Sequence, residues 1–203
     1  MKSRRQKAEG RSARATTRDR ASRREHFCPL PSAFCLLLLL FVASSAGARV
    51  LQTQEQALAT AFPAPLKVMR QKFFLTPEQA AAARSESGVD FDDRLVIRYA
   101  GSDGRVAYFD THRVRTEPET VMVVVMPDGS VDRVEILSFN EPTDYFPKRR
   151  WLDQLLGRKL DRDLALNRGV RPISGASLTG RALVNATRKV LALHHVLTGV
   201  TPR

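Results

Sequence analysis

From Gly175 to the C-terminus, apolar side chains recur at Leu178, Ala182, Leu183, Ala186, Val190, Leu191, Leu193 and Leu197. That spacing of three and four puts them on one face of an α-helix able to pack against a sheet. Upstream the pattern shortens. Residues 95–99, 105–109, 121–126 and 131–139 are runs rich in Val, Ile, Leu and aromatic side chains, and each reads as a strand. Gly101-Ser102-Asp103-Gly104 and Pro127-Asp128-Gly129 separate successive pairs, and these are hairpin residues because Gly and Asp tolerate the turn dihedrals. The run 121–126 is apolar throughout, which predicts an interior strand buried on both faces. The expected fold class is therefore α+β, an antiparallel β-meander packed by a long C-terminal helix and short helices.

Thr76-Pro77-Glu78-Gln79 predicts a helix start, with Thr76 as N-cap, Pro77 at the first helical position and Gln79 closing a capping box. This helix should run to about Ser87 and stop at Gly88. Residues 49–70 read as a helical or loosely ordered lead-in, with Ala and Gln as far as Ala61 and a break at Pro63 and Pro65. After the sheet, residues 141–147 read as a loop, 149–156 as a short helix ended by Gly157, and 158–172 as irregular. No internal repeat is visible.

Charge changes the picture less than its total suggests. The chain has 203 residues, 43% of them apolar, and a net charge of +12, a basicity that first points to nucleic acid or a membrane surface. Residues 1–27 hold ten Lys or Arg against three acids and account for +7 of it. The remaining +5 is mixed in sign along the chain and has no aromatic interleaving, so a nucleic-acid partner is not expected. Residues 27–48 carry no charge and centre on a leucine run, then end in Ala46-Gly47-Ala48 before Arg49. Basic, apolar and small-residue regions in that order read as an export signal cleaved after Ala48. An uncleaved anchor is the alternative, because the uncharged stretch just reaches the roughly 20 residues a membrane span needs. Ser22-Arg23-Arg24 with Phe27 leaves a twin-arginine route open. Both cysteines, Cys28 and Cys35, fall inside this segment, so the exported part would hold neither a disulfide nor a thiolate ligand.

The candidate chemistry sits at Ile173-Ser174-Gly175-Ala176-Ser177-Leu178-Thr179, where the last helix begins. Unpaired backbone N–H groups and the helix dipole favour a phosphate at such a place. Gly175 permits close approach, Ala176 adds no obstruction, and Ser174, Ser177 and Thr179 supply hydroxyls. Ordinary N-capping by these hydroxyls is the structural alternative.

The run Ser174-Gly175-Ala176-Ser177, followed by Leu178-Thr179 and an amphipathic helix, resembles the FMN-binding domain family found in the C subunit of sodium-pumping NADH:quinone oxidoreductase and the G subunit of the Rnf complex. The order of features is also similar over roughly residues 95–197. Asp128-Gly129-Ser130-Val131 leads into Val134-Glu135-Ile136-Leu137, then come Glu141-Pro142, Trp151-Leu152, Gly157-Arg158-Lys159 and the hydroxyl run. The resemblance implies that FMN is carried at the helix start, esterified through its phosphate to the last hydroxyl of the run, here Ser177. The family most often has Thr at that position and an Asp three residues before the first Ser, where this chain has Arg171. Arg171 could instead pair with the phosphate of noncovalently bound FMN, or mark the loss of attachment.

Weaker candidates lie elsewhere. The resemblance places Glu141 near the flavin. His112, with Arg113 and Arg115, could face the phosphate or the ring system, and Trp151 and Tyr145 could stack on it. The acidic run 117–120 reads as a solvated strand connection. Nothing has metal-ligand spacing, and consecutive His194-His195 point in different directions on a helix. No dinucleotide, phosphate-loop or nucleophile-elbow motif is present. The resulting division is a basic N-region and export signal (or anchor) over 1–48, a helical lead-in over 49–92, and an FMN-binding domain over 93–203. The function it implies is an exported flavoprotein, periplasmic or on the outer face of the cytoplasmic membrane. It would relay electrons between redox protein partners, which a membrane electron-transport complex could supply, instead of acting as a stand-alone enzyme. A flavin transferase would attach the cofactor. The rival reading is a noncatalytic interaction or assembly module that keeps the fold without flavin.

Overall fold

A computed structural model describes residues 50–199; the expected export signal and both cysteines lie outside the described residues. Five strands form one antiparallel sheet in sequence order: β1 Val68–Phe74, β2 Leu95–Gly101, β3 Val106–Arg113, β4 Pro118–Val125 and β5 Val131–Phe139. The meander and its hairpins fall where the turn residues place them. Strand β1 does not. It lies in the segment expected to be a helical or loose lead-in, and it pairs along its whole length with β2, from Val68 opposite Gly101 to Phe74 opposite Leu95. Its sequence VMRQKFF alternates poorly, and the strand is mostly exposed, so no period-2 signal marks it.

The helices are α1 Gln54–Ala61, α2 Pro77–Ser87, α3 Arg149–Leu152 and α4 Ser177–Thr198. Helix α2 keeps the expected capping box, with Thr76 Oγ1 accepting from the Gln79 N–H at 3.2 Å and the Gln79 side chain accepting from the Thr76 N–H at 2.9 Å. Gly88 ends it in the left-handed conformation at φ 67°, which favours glycine. Helix α1 has the same box built on Thr53 and Gln56. No helix among the described residues is long and apolar enough to cross a membrane.

Side chains of β4 explain the layering. Val121, Val123 and Val125 join the larger core with α2, α4 and the segment after β5, whereas Met122 and Val124 join a smaller core with Ala57, Ala61 and Phe62 of the N-terminal helix region. Alternation along a strand sends successive residues to opposite faces. The continuous apolar run is thus needed because helices cover both sides, and all five of these residues are fully buried.

Between α3 and α4 the chain is irregular, as expected, yet firmly tied. Arg188 of α4 donates to the carbonyls of Ser87 at 2.6 Å, Asp161 at 2.7 Å and Leu164 at 3.2 Å, joining α4 to both α2 and this loop.

Candidate functional site

Helix α4 begins at Ser177 with Ala176 in the N-cap position, and no side chain caps it. The ordinary capping expected of the serine hydroxyls is therefore not what holds this end. Its first turn also contains no acidic side chain, so the free N–H groups and the positive end of the dipole are uncompensated. Gly175 adopts φ 78°, in the left-handed region, and a Cβ there would meet nothing within 4 Å. Ser174, Gly175, Ser177 and Leu178 are exposed, while Ala176 and Thr179 are buried. Thr179 consequently packs beneath the turn and does not present its hydroxyl at the surface.

Beside this turn lies a cleft of about 920 Å³ lined by Lys148, Arg150, Trp151, Gln154, Arg158, Arg168, Gly169, Arg171 and Pro172. Arg171 is fixed through its backbone: its N–H donates to Gln154 Oε1 at 3.0 Å and its carbonyl accepts from Trp151 Nε1 at 2.7 Å. The Trp151 ring belongs to the core and reaches the first turn of α4, where a Cβ on Gly180 would lie 3.3 Å from its Cζ2. One indole thus connects the cleft to the helix start. Its N–H is committed to Arg171 and unavailable to a ligand.

A second constellation lies along the side of α4. His112 Nδ1 is 2.9 Å from Asp110 Oδ2 and its Nε2 3.1 Å from Glu119 Oε2, while Lys189 of α4 reaches Asp110 Oδ1 at 2.8 Å. Burial opposes the charged imidazolium, but hydrogen bonds and charge from Asp110 and Glu119 outweigh it and raise the His112 pKa to about 9. Burial also opposes ionisation of Asp110, yet His112 and Lys189 hold its pKa below the ordinary value. Burial pushes that of Glu119 up, and its Oε1 has no hydrogen-bond partner. Two carboxylates, an imidazolium and an ammonium make this cluster nearly neutral. A cavity of about 160 Å³ between it and α4 is lined by Ala182, Asn185 and Ala186 among others.

The acidic run 117–120 is therefore not a solvated connection. Pro118 to Thr120 begin β4, and Glu119 is 1% exposed because it stands directly opposite His112 across the β3–β4 pair. Nothing in the local sequence marks this, since the reason is a partner on the neighbouring strand.

Glu141 accepts from the Arg115 N–H at 3.1 Å, and the Arg115 guanidinium lies 4.5 Å from the centre of the Tyr145 ring. Among the described residues no hydrogen bond or ion pair joins Glu141 or His112 to residues 174–179. The structure thus brings the hydroxyl run close to Trp151 and the Arg171 loop, and commits His112 and Glu141 to other partners. Buried His194 and His195 each have separate neighbours: His194 Nδ1 is 3.1 Å from the Tyr108 hydroxyl, and His195 Nδ1 is 3.4 Å from Glu86 Oε2.

No family model, no curated protein and no solved structure matches the chain.

Proposed function

We propose that the protein is an exported flavoprotein that carries FMN by its phosphate at the start of α4, esterified to Ser177, and relays electrons between redox partners at or beyond the cytoplasmic membrane. The resemblance of the Ser174–Ser177 run and its flanking features motivates this reading. The observation that carries it is an exposed hydroxyl at the first residue of a 22-residue helix whose start has neither a side-chain cap nor an acid. That chemistry suits a phosphate. The free N–H groups of the first turn can donate to its oxygens, Gly175 leaves space for its approach, and the Ser177 hydroxyl can form the ester. Exposed Leu178 and Ser174 flank the same point. When bound, FMN supplies the electron transfer itself, and the protein contributes position, exposure and local charge. Arg171 adds a cation to the neighbourhood of the phosphate, and the absence of a dinucleotide motif favours protein partners over a soluble nicotinamide donor.

The test is production of the full chain with a flavin transferase, followed by intact mass and an absorbance spectrum before and after denaturation. Yellow colour that stays with the precipitated chain, and a mass increased by one FMN less one water, as the phosphoester requires, are expected. Ser177→Ala should abolish both while leaving the fold unchanged. An unmodified and colourless protein would instead favour the assembly-module reading.

A further inference from the structure

We infer that the basic cleft between α3 and the 166–172 loop is the docking groove for an acidic segment of a protein partner. Taken as the route by which that partner reaches the helix start, this rests on the flavoprotein reading above. The groove itself does not. Lys148, Arg150, Arg158, Arg168 and Arg171 line it without a single carboxylate. Of the acids nearby, Asp163 is exposed and does not line the groove, and two others are engaged. Asp153 pairs with Arg149 at 3.1 Å, and Asp161 Oδ1 accepts the N–H groups of Asp163 and Leu164, both at 2.8 Å. Lys148, Arg150, Arg168 and Arg171 are exposed and make no ion pair among the described residues. Five like charges around one concavity repel one another, and a bound anionic segment relieves that repulsion.

The groove is also held in shape. The Arg158 guanidinium donates to the carbonyls of Gly169 and Gln154, and a Cβ on Gly169 would run into the backbone carbonyl of Asp163, so glycine is needed where the loop closes on itself. Arg171 is fixed at both its backbone N–H and its carbonyl. Four of the five cations are guanidiniums, whose forked donors match carboxylates two bonds at a time.

An acidic polypeptide fits better than a compact phosphate ligand. Four of the cations are exposed on long side chains, and Trp151 and Pro172 add apolar atoms to the same lining. Charged and apolar groups side by side are the mixture a protein interface uses, and the charge would steer the encounter. Because Trp151 also packs on Gly180 in the first turn of α4, a partner seated here lies beside the proposed cofactor position.

The probe is an octaglutamate peptide carrying a photocrosslinker, irradiated with the full chain in 50 mM salt, with crosslinks mapped by mass spectrometry. Crosslinks are expected in fragments spanning 148–154 and 166–172. Their yield should fall at least tenfold in R150E/R168E and, through screening, in 300 mM salt. The equal charge change R70E/K72E, on the exposed edge strand, should leave the yield within twofold. R150Q/R168Q, which removes the charges without reversing them, should lie between. Crosslinks confined to other regions, or equal loss in both charge-reversed proteins, would overturn the proposal. So would protection of the groove by equimolar tripolyphosphate with no peptide crosslinking, which would assign it to a phosphate ligand. Flavin content, measured on the same samples, reports separately: colourless protein that still crosslinks in the groove refutes the flavin reading and leaves the groove standing.

Discussion

His112 shows how much a single side chain can owe to its partners. Held between Asp110 and Glu119, with Lys189 facing Asp110 from α4 and Glu141 adding negative charge near Glu119, its pKa rises from 6.5 to about 9. Below pH 6.5 both folded and unfolded chains hold the proton; between there and 9 only the folded chain does. The stabilisation is therefore complete at low pH and is lost as pH rises through about 9, and its size is on the order of 3 kcal/mol. Urea unfolding at pH 6, 7.5 and 9 should show the midpoint falling with pH, and His112→Gln should flatten that slope. His194 works in the opposite sense. Burial, with added repulsion from His195 and Arg98, lowers its pKa to about 4, so the folded state loses stability as pH falls from 6.5 toward that value. At this scale the hydroxyl run was legible because it is contiguous, and Ser177, Gly175 and Ser174 are indeed exposed at the helix start. The burial of Thr179 and Glu119 was not, since neither is set by its immediate neighbours.

Among the elements, those with chemical punctuation were the ones the sequence could place. Thr76, Pro77, Gln79 and Gly88 bound α2 by satisfying the free N–H groups at one end and turning the chain at the other. Thr76→Ala should cost about 1 kcal/mol, read as a shift in the urea midpoint without a change in slope. Gly101 to Gly104 and Pro127 to Gly129 set the hairpins in the same local way. Strand β1 has no such signal. It is a strand because the edge of β2 offers it a ladder of backbone hydrogen bonds, and with Met69 and Phe74 exposed its own side chains contribute little burial. Helices α1 and α2 close their own N-termini with threonine, whereas the one-turn α3 and the long α4 have no side-chain cap.

At the scale of the whole molecule, the sheet is covered on both faces, and the minor layer is supplied by residues that precede β1. Ala57, Ala61 and Phe62 pack on Ala107, Met122, Val124 and Leu137. A chain beginning at Val68 would expose that apolar face to water, so it should elute as an aggregate or oligomer in size-exclusion chromatography where the longer chain elutes as a monomer. Monomeric elution of the shortened chain would show that α1 is dispensable. The amino-acid sequence by itself determined most strand and helix periods, the turns, the caps of α2, the doubly buried character of β4 and the hydroxyl run, because each of these is written in residues a few positions apart. Only the tertiary structure decided that β1 joins the sheet, that Asp110, His112, Glu119 and Lys189 form one charge cluster, and that the cations around Arg171 share a groove. Burial and charge pairing depend on which distant segments meet, and Lys189 finds Asp110 across 79 positions of chain only once α4 has packed on the sheet.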